Sequence, residues 1–132
     1  MEIRTADIDC RRILKRALGR GGDFAEIYVE HRRGTSIVSE SGRIEKFLAT
    51  DESGVALRVV QGDRSAFAST NDPSALDELA DTVAAAVASG AFDRDVSLVR
   101  REARSIVIME EDPARVPPEE KIACVREADR AA

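Results

Sequence analysis

Only one histidine, His31, stands in the 132 residues, so chemistry that needs a pair of imidazoles cannot be assembled from this sequence alone. A helical zinc signature such as HExxH uses two histidines one turn apart to hold the ion, with a glutamate to activate water. Cys10 and Cys124 do not replace the missing ligands, because neither belongs to a CxxC pair and most of the chain separates them. They read as reduced, partly buried thiols. His31 is followed by Arg32 and Arg33 and reads as a strand-end or surface residue. No GxSxG elbow is present to raise a nucleophilic serine.

Gly19, Gly21 and Gly22 resemble a phosphate loop in composition only. Cradling a phosphate needs glycines that run into a helix N-terminus, whereas here a predicted helix precedes them and a predicted strand follows. Turn chemistry accounts for them. Glu110, Glu111 and Asp112 carry the oxygen ligands that hard cations take, but adjacent side chains on an irregular segment point apart rather than converge. The residues therefore assign no catalytic, cofactor-binding or metal-ligating position in this chain.

Basic residues cluster at Arg11, Arg12, Lys15 and Arg16, at Arg32 and Arg33, and at Arg100, Arg101 and Arg104. A net charge of −5 opposes general affinity for nucleic acid, and no aromatic residues interleave the clusters to stack on bases. They read as solvated faces.

The elements that would position these residues follow from periodicity. Residues 7–18 are predicted as a helix capped by Asp7, with Cys10, Ile13, Leu14, Ala17 and Leu18 on one face and Gly19 as its stop. Over residues 24–32, Ala25, Ile27 and Val29 alternate with Glu26, Tyr28 and Glu30, the period of a strand buried on one side. Residues 35–40 and 43–50 flank the turn pair Ser41 and Gly42 and read as a hairpin. This stretch allows either one long bent hairpin or two separate pairings. Residues 55–61, with Val55, Leu57 and Val59 on one face, turn at Gly62 and Asp63 into residues 64–69.

Asp72 and Pro73 make a strong helix start, and the helix is predicted over residues 73–89, ending at Gly90. Leu76, Leu79, Ala80, Val83 and Val87 form its apolar stripe. Residues 91–116 lose this regularity, with 105–109 as a possible further strand. Pro117 and Pro118 open a last helix, with Glu119 and Glu120 in its first turn and Ile122, Val125 and Ala128 along one side. Nothing stops it before residue 132, as expected of a chain cut inside a helix.

Short turns cannot cross over between parallel strands, so the order implies an α+β fold: a mostly antiparallel sheet of about four strands with two helices packed on it. The expected division is a domain at 1–92, a connector at 93–116, and the start of a following domain at 117–132. The charged N-terminus lacks the apolar run of a signal peptide. The longest apolar stretches are far short of the roughly 20 residues that a membrane span needs. A cytoplasmic location, without membrane contact, is the expectation.

The order of residues carries a resemblance. Gly-Gly-Asp-Phe-Ala-Glu-Ile-Tyr-Val-Glu at 21–30, Ser-Gly-Arg-Ile-Glu at 41–45, Gly-Val-Ala-Leu-Arg-Val-Val at 54–60 and Ala-Phe-Ala-Ser-Thr-Asn-Asp at 66–72 resemble the N-terminal domain of the TldD/PmbA family. Pro-Pro-Glu-Glu-Lys-Ile at 117–122, continued at 126–132, is similar to that family's passage into its next domain, and looks more like TldD than its PmbA (TldE) partner. The resemblance covers residues 8–132. It implies a cytoplasmic zinc metallopeptidase that works on unfolded peptides as a two-subunit assembly, with an HExxxH motif far downstream in a longer protein.

That motif does not occur in these 132 residues, so no catalytic or zinc-binding residue is carried over to any position. The family resemblance implies zinc in the full-length enzyme, a PmbA/TldE-like subunit or self-association as partner, and a role for this segment in assembly and substrate enclosure. The competing expectations are a stand-alone protein-interaction module and, through the family's older link to DNA gyrase, a nucleic-acid modulator.

Overall fold

The structure is a computed structural model, and it describes residues 2–90, 93, 95–102 and 106–132. Arg104 and Ser105, at which the sequence placed part of a basic cluster and the start of a possible strand, lie outside the described residues. The elements run α1 (Cys10–Ala17), β1 (Phe24–Glu40), β2 (Arg43–Gln61), β3 (Arg64–Thr70), α2 (Leu76–Ala86) and α3 (Pro118–Ala131), with short 3-10 turns at Thr5–Asp7 and Pro73–Ala75. The fold is α+β, as expected, around a three-stranded sheet in the order β1-β2-β3.

The chain divides into two compact units, one formed by Met1–His31 and Glu52–Arg100, the other by Arg32–Asp51 and Arg101–Ala132. The first unit contains the core. Ile13 and Ala17 from α1, Val55, Leu57 and Val59 from β2, and Leu76, Ala80, Val83 and Val87 from α2 are buried together with Ile3 and Ile8. Ala25, Ile27 and Val29 of β1 and Ala66 and Ala68 of β3 pack against this cluster. Alternate residues of each strand thus face the helices, because successive side chains in a strand point to opposite sides. The antiparallel register of β2 with β3 matches Val55 to Thr70, Leu57 to Ala68 and Val59 to Ala66.

Two helix starts differ in detail from expectation. The side chain of Asp9, not Asp7, caps α1 by accepting the Arg12 N–H at 3.1 Å. Asp7 lies in the preceding 3-10 turn and pairs with Arg4 at 3.1 Å. Asp72 does cap its turn, accepting the Ser74 N–H at 2.9 Å and the Ser74 hydroxyl at 2.7 Å. That turn is 3-10 over its first three residues before α2 begins, and α2 stops at Ala86, ahead of the expected end at residue 89.

The expected strands at 24–32 and 35–40 are one continuous β1, and those at 43–50 and 55–61 are one continuous β2. Asp51, Glu52, Ser53 and Gly54 had the composition of a loop but remain in the strand. Tertiary bonds hold this stretch extended: the Ser53 hydroxyl donates to the Glu30 carbonyl at 3.2 Å and accepts the Ile3 N–H at 2.8 Å.

In the second unit, Ser41 and Gly42 both have positive φ, 51° and 76°, the backbone of a two-residue hairpin turn of the primed kind. The Thr50 hydroxyl donates to the Gly34 carbonyl at 3.4 Å within the same unit. Pro118 opens α3, Glu119 and Glu120 occupy its first turn, and Ile122 and Val125 are half-buried. Lys121 Nζ donates to the Thr35 hydroxyl at 3.2 Å. Ile106, Val107, Ile108 and Met109, expected as a possible strand, are not in one, and their side chains are largely exposed. The burial that would stabilise a strand is missing there.

Gly22 sets the closest approach in the core. A Cβ built there would lie 2.5 Å from Val59 Cγ1 and 2.9 Å from Leu18 Cδ2, so only glycine lets the chain leave α1 and join the sheet so tightly. Gly22→Ala is expected to destabilise the fold by about 1–3 kcal/mol through overpacking. Urea unfolding followed by circular dichroism measures this as a lowered midpoint, and an unchanged midpoint would contradict the packing.

Candidate functional site

The residues that the sequence offered for chemistry are scattered. His31 ends the β1 portion of the first unit, with Nδ1 3.8 Å from Glu2 Oε1. Cys10 sits half-buried at the start of α1, its thiol donating to the Thr5 carbonyl at 3.9 Å. Burial, followed by the charge of Asp9, raises its pKa. Cys124 is exposed on α3. Gly21 and Gly22 serve the turn from α1 into β1, with Gly21 at φ 117°. Asp112 lies 3.9 Å from Arg33 and 4.0 Å from Arg115 in the second unit, so its charge is engaged with arginines.

Among the described residues, no three His, Cys, Asp or Glu side chains come together in a way that could hold a metal ion. A hydrolytic centre needs a polarised water or a nucleophile beside its base. The described donors do not fit a zinc ion, and no hydrolytic step is derived through one on this chain.

The first basic cluster forms ion pairs at the surface of the first unit. Arg16 grips Asp81 with two bonds, Nε to Oδ1 at 2.7 Å and Nη2 to Oδ2 at 2.6 Å, and reaches Asp77 at 3.4 Å. Arg12 also pairs with Asp77, Lys15 pairs with Asp93 at 2.7 Å, and Arg11 donates to the Val96 carbonyl. These side chains stay about half exposed, a solvated face as expected, and the ion pairs are what the sequence reading lacked. The acidic flank of α2 that meets them, Asp77 and Asp81 one turn apart, is the signal that could have found the pairing.

The described residues of the first unit present an open sheet face. The parity that buries Val55, Leu57 and Val59 sends Phe24, Glu26, Tyr28 and Glu30 of β1, Arg58 of β2 and Phe67 of β3 to the other side. Phe24, Tyr28 and Phe67 are exposed, Phe67 at 67%. Between them Arg58 Nε donates to Glu26 Oε1 at 2.6 Å, and the Tyr28 hydroxyl donates to Glu30 Oε2 at 2.9 Å. That carboxylate raises the Tyr28 pKa, by its hydrogen bond first and its charge second. Aromatic surfaces beside fixed polar pairs suit contact with another polypeptide. Phe67 was not singled out from sequence, although a bulky aromatic out of phase with Ala66 and Ala68 is a legible sign of an outward apolar residue.

The second unit holds a shallow hollow of about 480 Å³ lined by Gly42, Glu119, Ala123, Arg126, Asp129 and Arg130. Its charges are mixed, and one lining contact is internal to α3, where Arg130 Nε donates to the Arg126 carbonyl at 3.2 Å.

No helix among the described residues is long and apolar enough to cross a membrane. Residues 25–90, half of the chain, match a family described as PmbA/TldA metallopeptidase domain 1. The matched span takes in most of β1, all of β2 and β3, and α2. A comparison with curated proteins gave no match.

Two measurements follow from these electrostatics. Pairing with Arg16 holds Asp81 below its ordinary value, so its stabilising effect is complete above about pH 4 and is lost as pH falls through the lowered value. Asp81→Asn is therefore expected to be less stable than the parent near neutrality, with the two urea midpoints converging as pH falls through the lowered value. A gap that stays constant with pH would show that the pair contributes nothing. For the thiols, Ellman's reagent at mildly alkaline pH should modify exposed Cys124 before Cys10, whose burial and raised pKa both slow thiolate attack. The Cys124→Ser variant, which should lose the fast phase, identifies which thiol is which.

Proposed function

This chain belongs to the PmbA/TldA metallopeptidase family through its first domain, and on that premise we propose that it is the non-catalytic N-terminal part of a TldD-like zinc metalloprotease. The parent enzyme processes or degrades peptides in the cytoplasm, in a complex of the TldD/PmbA (TldE) type. Within it, residues 1–92 form the first domain, 93–116 connect, and 117–132 begin the next domain. Zinc and the residues that hold it are supplied by the part of the parent protein beyond this segment.

The role assigned to this domain is assembly and enclosure of the substrate. The observation that carries it is the family match over residues 25–90, which falls on the sheet and α2. The exposed Phe24, Tyr28 and Phe67 support a contact role, since they present apolar surface with no covering element described over them. A wall of strands lets an extended chain lie along it while excluding a folded one, which is how enclosure selects unfolded peptide.

The decisive experiment compares the parent enzyme with a version lacking residues 1–92. The expected outcome is impaired assembly with the partner subunit, or cleavage that no longer discriminates unfolded from folded substrates. A truncated enzyme that assembles normally and still cleaves only unfolded polypeptide would refute the enclosing role.

A further inference from the structure

Residues beyond α2 are fastened to α1. Lys15 Nζ lies 2.7 Å from Asp93 Oδ1, Arg11 Nη1 lies 3.6 Å from Asp95 Oδ1, and the same guanidinium donates to the Val96 carbonyl. Among the described residues from 93 to 102, Val96 alone is buried, at 8% exposure. The Asp95 carboxylate also accepts the Val96 N–H at 2.9 Å, so both backbone groups of the buried residue are bonded.

The contacts come in a consistent order. Asp93 meets Lys15, Asp95 and Val96 meet Arg11, and Arg100 lies close enough to Cys10 for its charge to act on the thiol, against the burial and the Asp9 charge that raise the Cys10 pKa. The segment therefore runs antiparallel to α1. Arg11 and Lys15 stand one turn apart in one row of the helix, while Arg12 and Arg16, one residue further on, form the row that pairs with Asp77 and Asp81 of α2.

One helix thus holds two neighbours, and it holds them differently. α2 adds a buried stripe, Leu76, Ala80, Val83 and Val87, to its ion pairs. The segment after it has one buried side chain, and its carboxylates are exposed, Asp93 at 86% and Asp95 fully. Ion pairs of that kind are individually weak and are screened by salt.

We propose that residues 93–96 form a releasable strap, held on α1 by Arg11, Lys15 and the seat of Val96, and let go when those charges are screened or removed. Residue 93 is where the sequence places the start of a connector, so the state of the strap decides how much of that connector is free. Closed, it keeps the chain beyond α2 along α1; open, it adds these residues to the length that can move. The strap lies within the first unit and stands independently of the peptidase reading.

The test places a thiol at the anchor. Val96→Cys is made in the full 132-residue chain together with Cys10→Ser and Cys124→Ser, so that the introduced thiol is the only one. Its modification by iodoacetamide, an uncharged reagent, is compared with that of glutathione and should be slower at about 0.1 M sodium chloride. About 1 M salt, which shortens the screening length from about 10 Å to about 3 Å, should speed it severalfold. Arg11→Ala and Lys15→Ala should each speed it about two- to fivefold at the lower salt, while keeping the parent circular dichroism spectrum. Lys15→Glu and Asp93→Lys should each do the same, and the chain carrying both should return to the slow rate, which no folding defect would produce. With Val96 retained, cleavage by endoproteinase Asp-N before Asp95, located by mass spectrometry, should quicken in Arg11→Ala. A thiol that reacts like glutathione from the start, a slow thiol indifferent to salt and to both alanine variants, an exchanged pair that fails to restore protection, or unchanged cleavage before Asp95 would each overturn the proposal.

Discussion

The close approach of α1 and β2 at Gly22 governs the first unit. With no side chain at that position, Val59 and Leu18 close over the backbone, and the chain emerges from the helix directly beside the strand it must join. The Asp23 N–H donates to the Val60 carbonyl at 2.7 Å, and the Asp23 side chain accepts the Gly62 N–H at 2.7 Å, so the start of β1 is fixed to the end of β2 and to the following turn. Once that junction is set, Ile13 and Ala17 lie over Val55, Leu57 and Val59, and α2 completes the cover. Burial of these side chains is the dominant favourable contribution, and the surface ion pairs between the helices orient what burial already holds.

Covering one face of the sheet leaves two kinds of surface open. The far face presents Phe24, Tyr28 and Phe67, and the outer edge of β3 presents backbone groups directed away from β2. Tyr28, Phe67 and the whole of β3 fall within residues 25–90, which match the first domain of a metallopeptidase family, and Phe24 lies one residue before them. Family membership supplies a metallopeptidase context, and the exposed aromatic residues of the far face are the surface this unit presents within it.

Charge is distributed in the same spirit. The chain carries 20 basic and 25 acidic residues, yet the densest basic cluster is engaged with Asp77, Asp81 and Asp93. Those arginines and the lysine are held in a lateral interlock of α1 with its neighbours. These ion pairs stay at the surface, where their side chains remain about half exposed.

Much of this was legible in the residues themselves. The alternation of Val55, Leu57 and Val59 and the stripe from Leu76 to Val87 determined which sides face the core, because burial has the period of the element that achieves it. The turn at Ser41 and Gly42, the cap at Asp72 and the α+β class followed from local backbone preference. The family was legible in the order of short motifs. Tertiary structure decided the rest. Asp9 rather than Asp7 caps α1 because the chain first closes a 3-10 turn. The stretch Asp51 to Gly54 stays extended because Ser53 is bonded to Ile3 and Glu30, and Arg12 and Arg16 are ion-pair partners because α2 packs where Asp77 and Asp81 can reach them. Local sequence fixes what a residue prefers, but residues distant in the chain determine which bonds are available to it, and those partners exist only once the fold has formed.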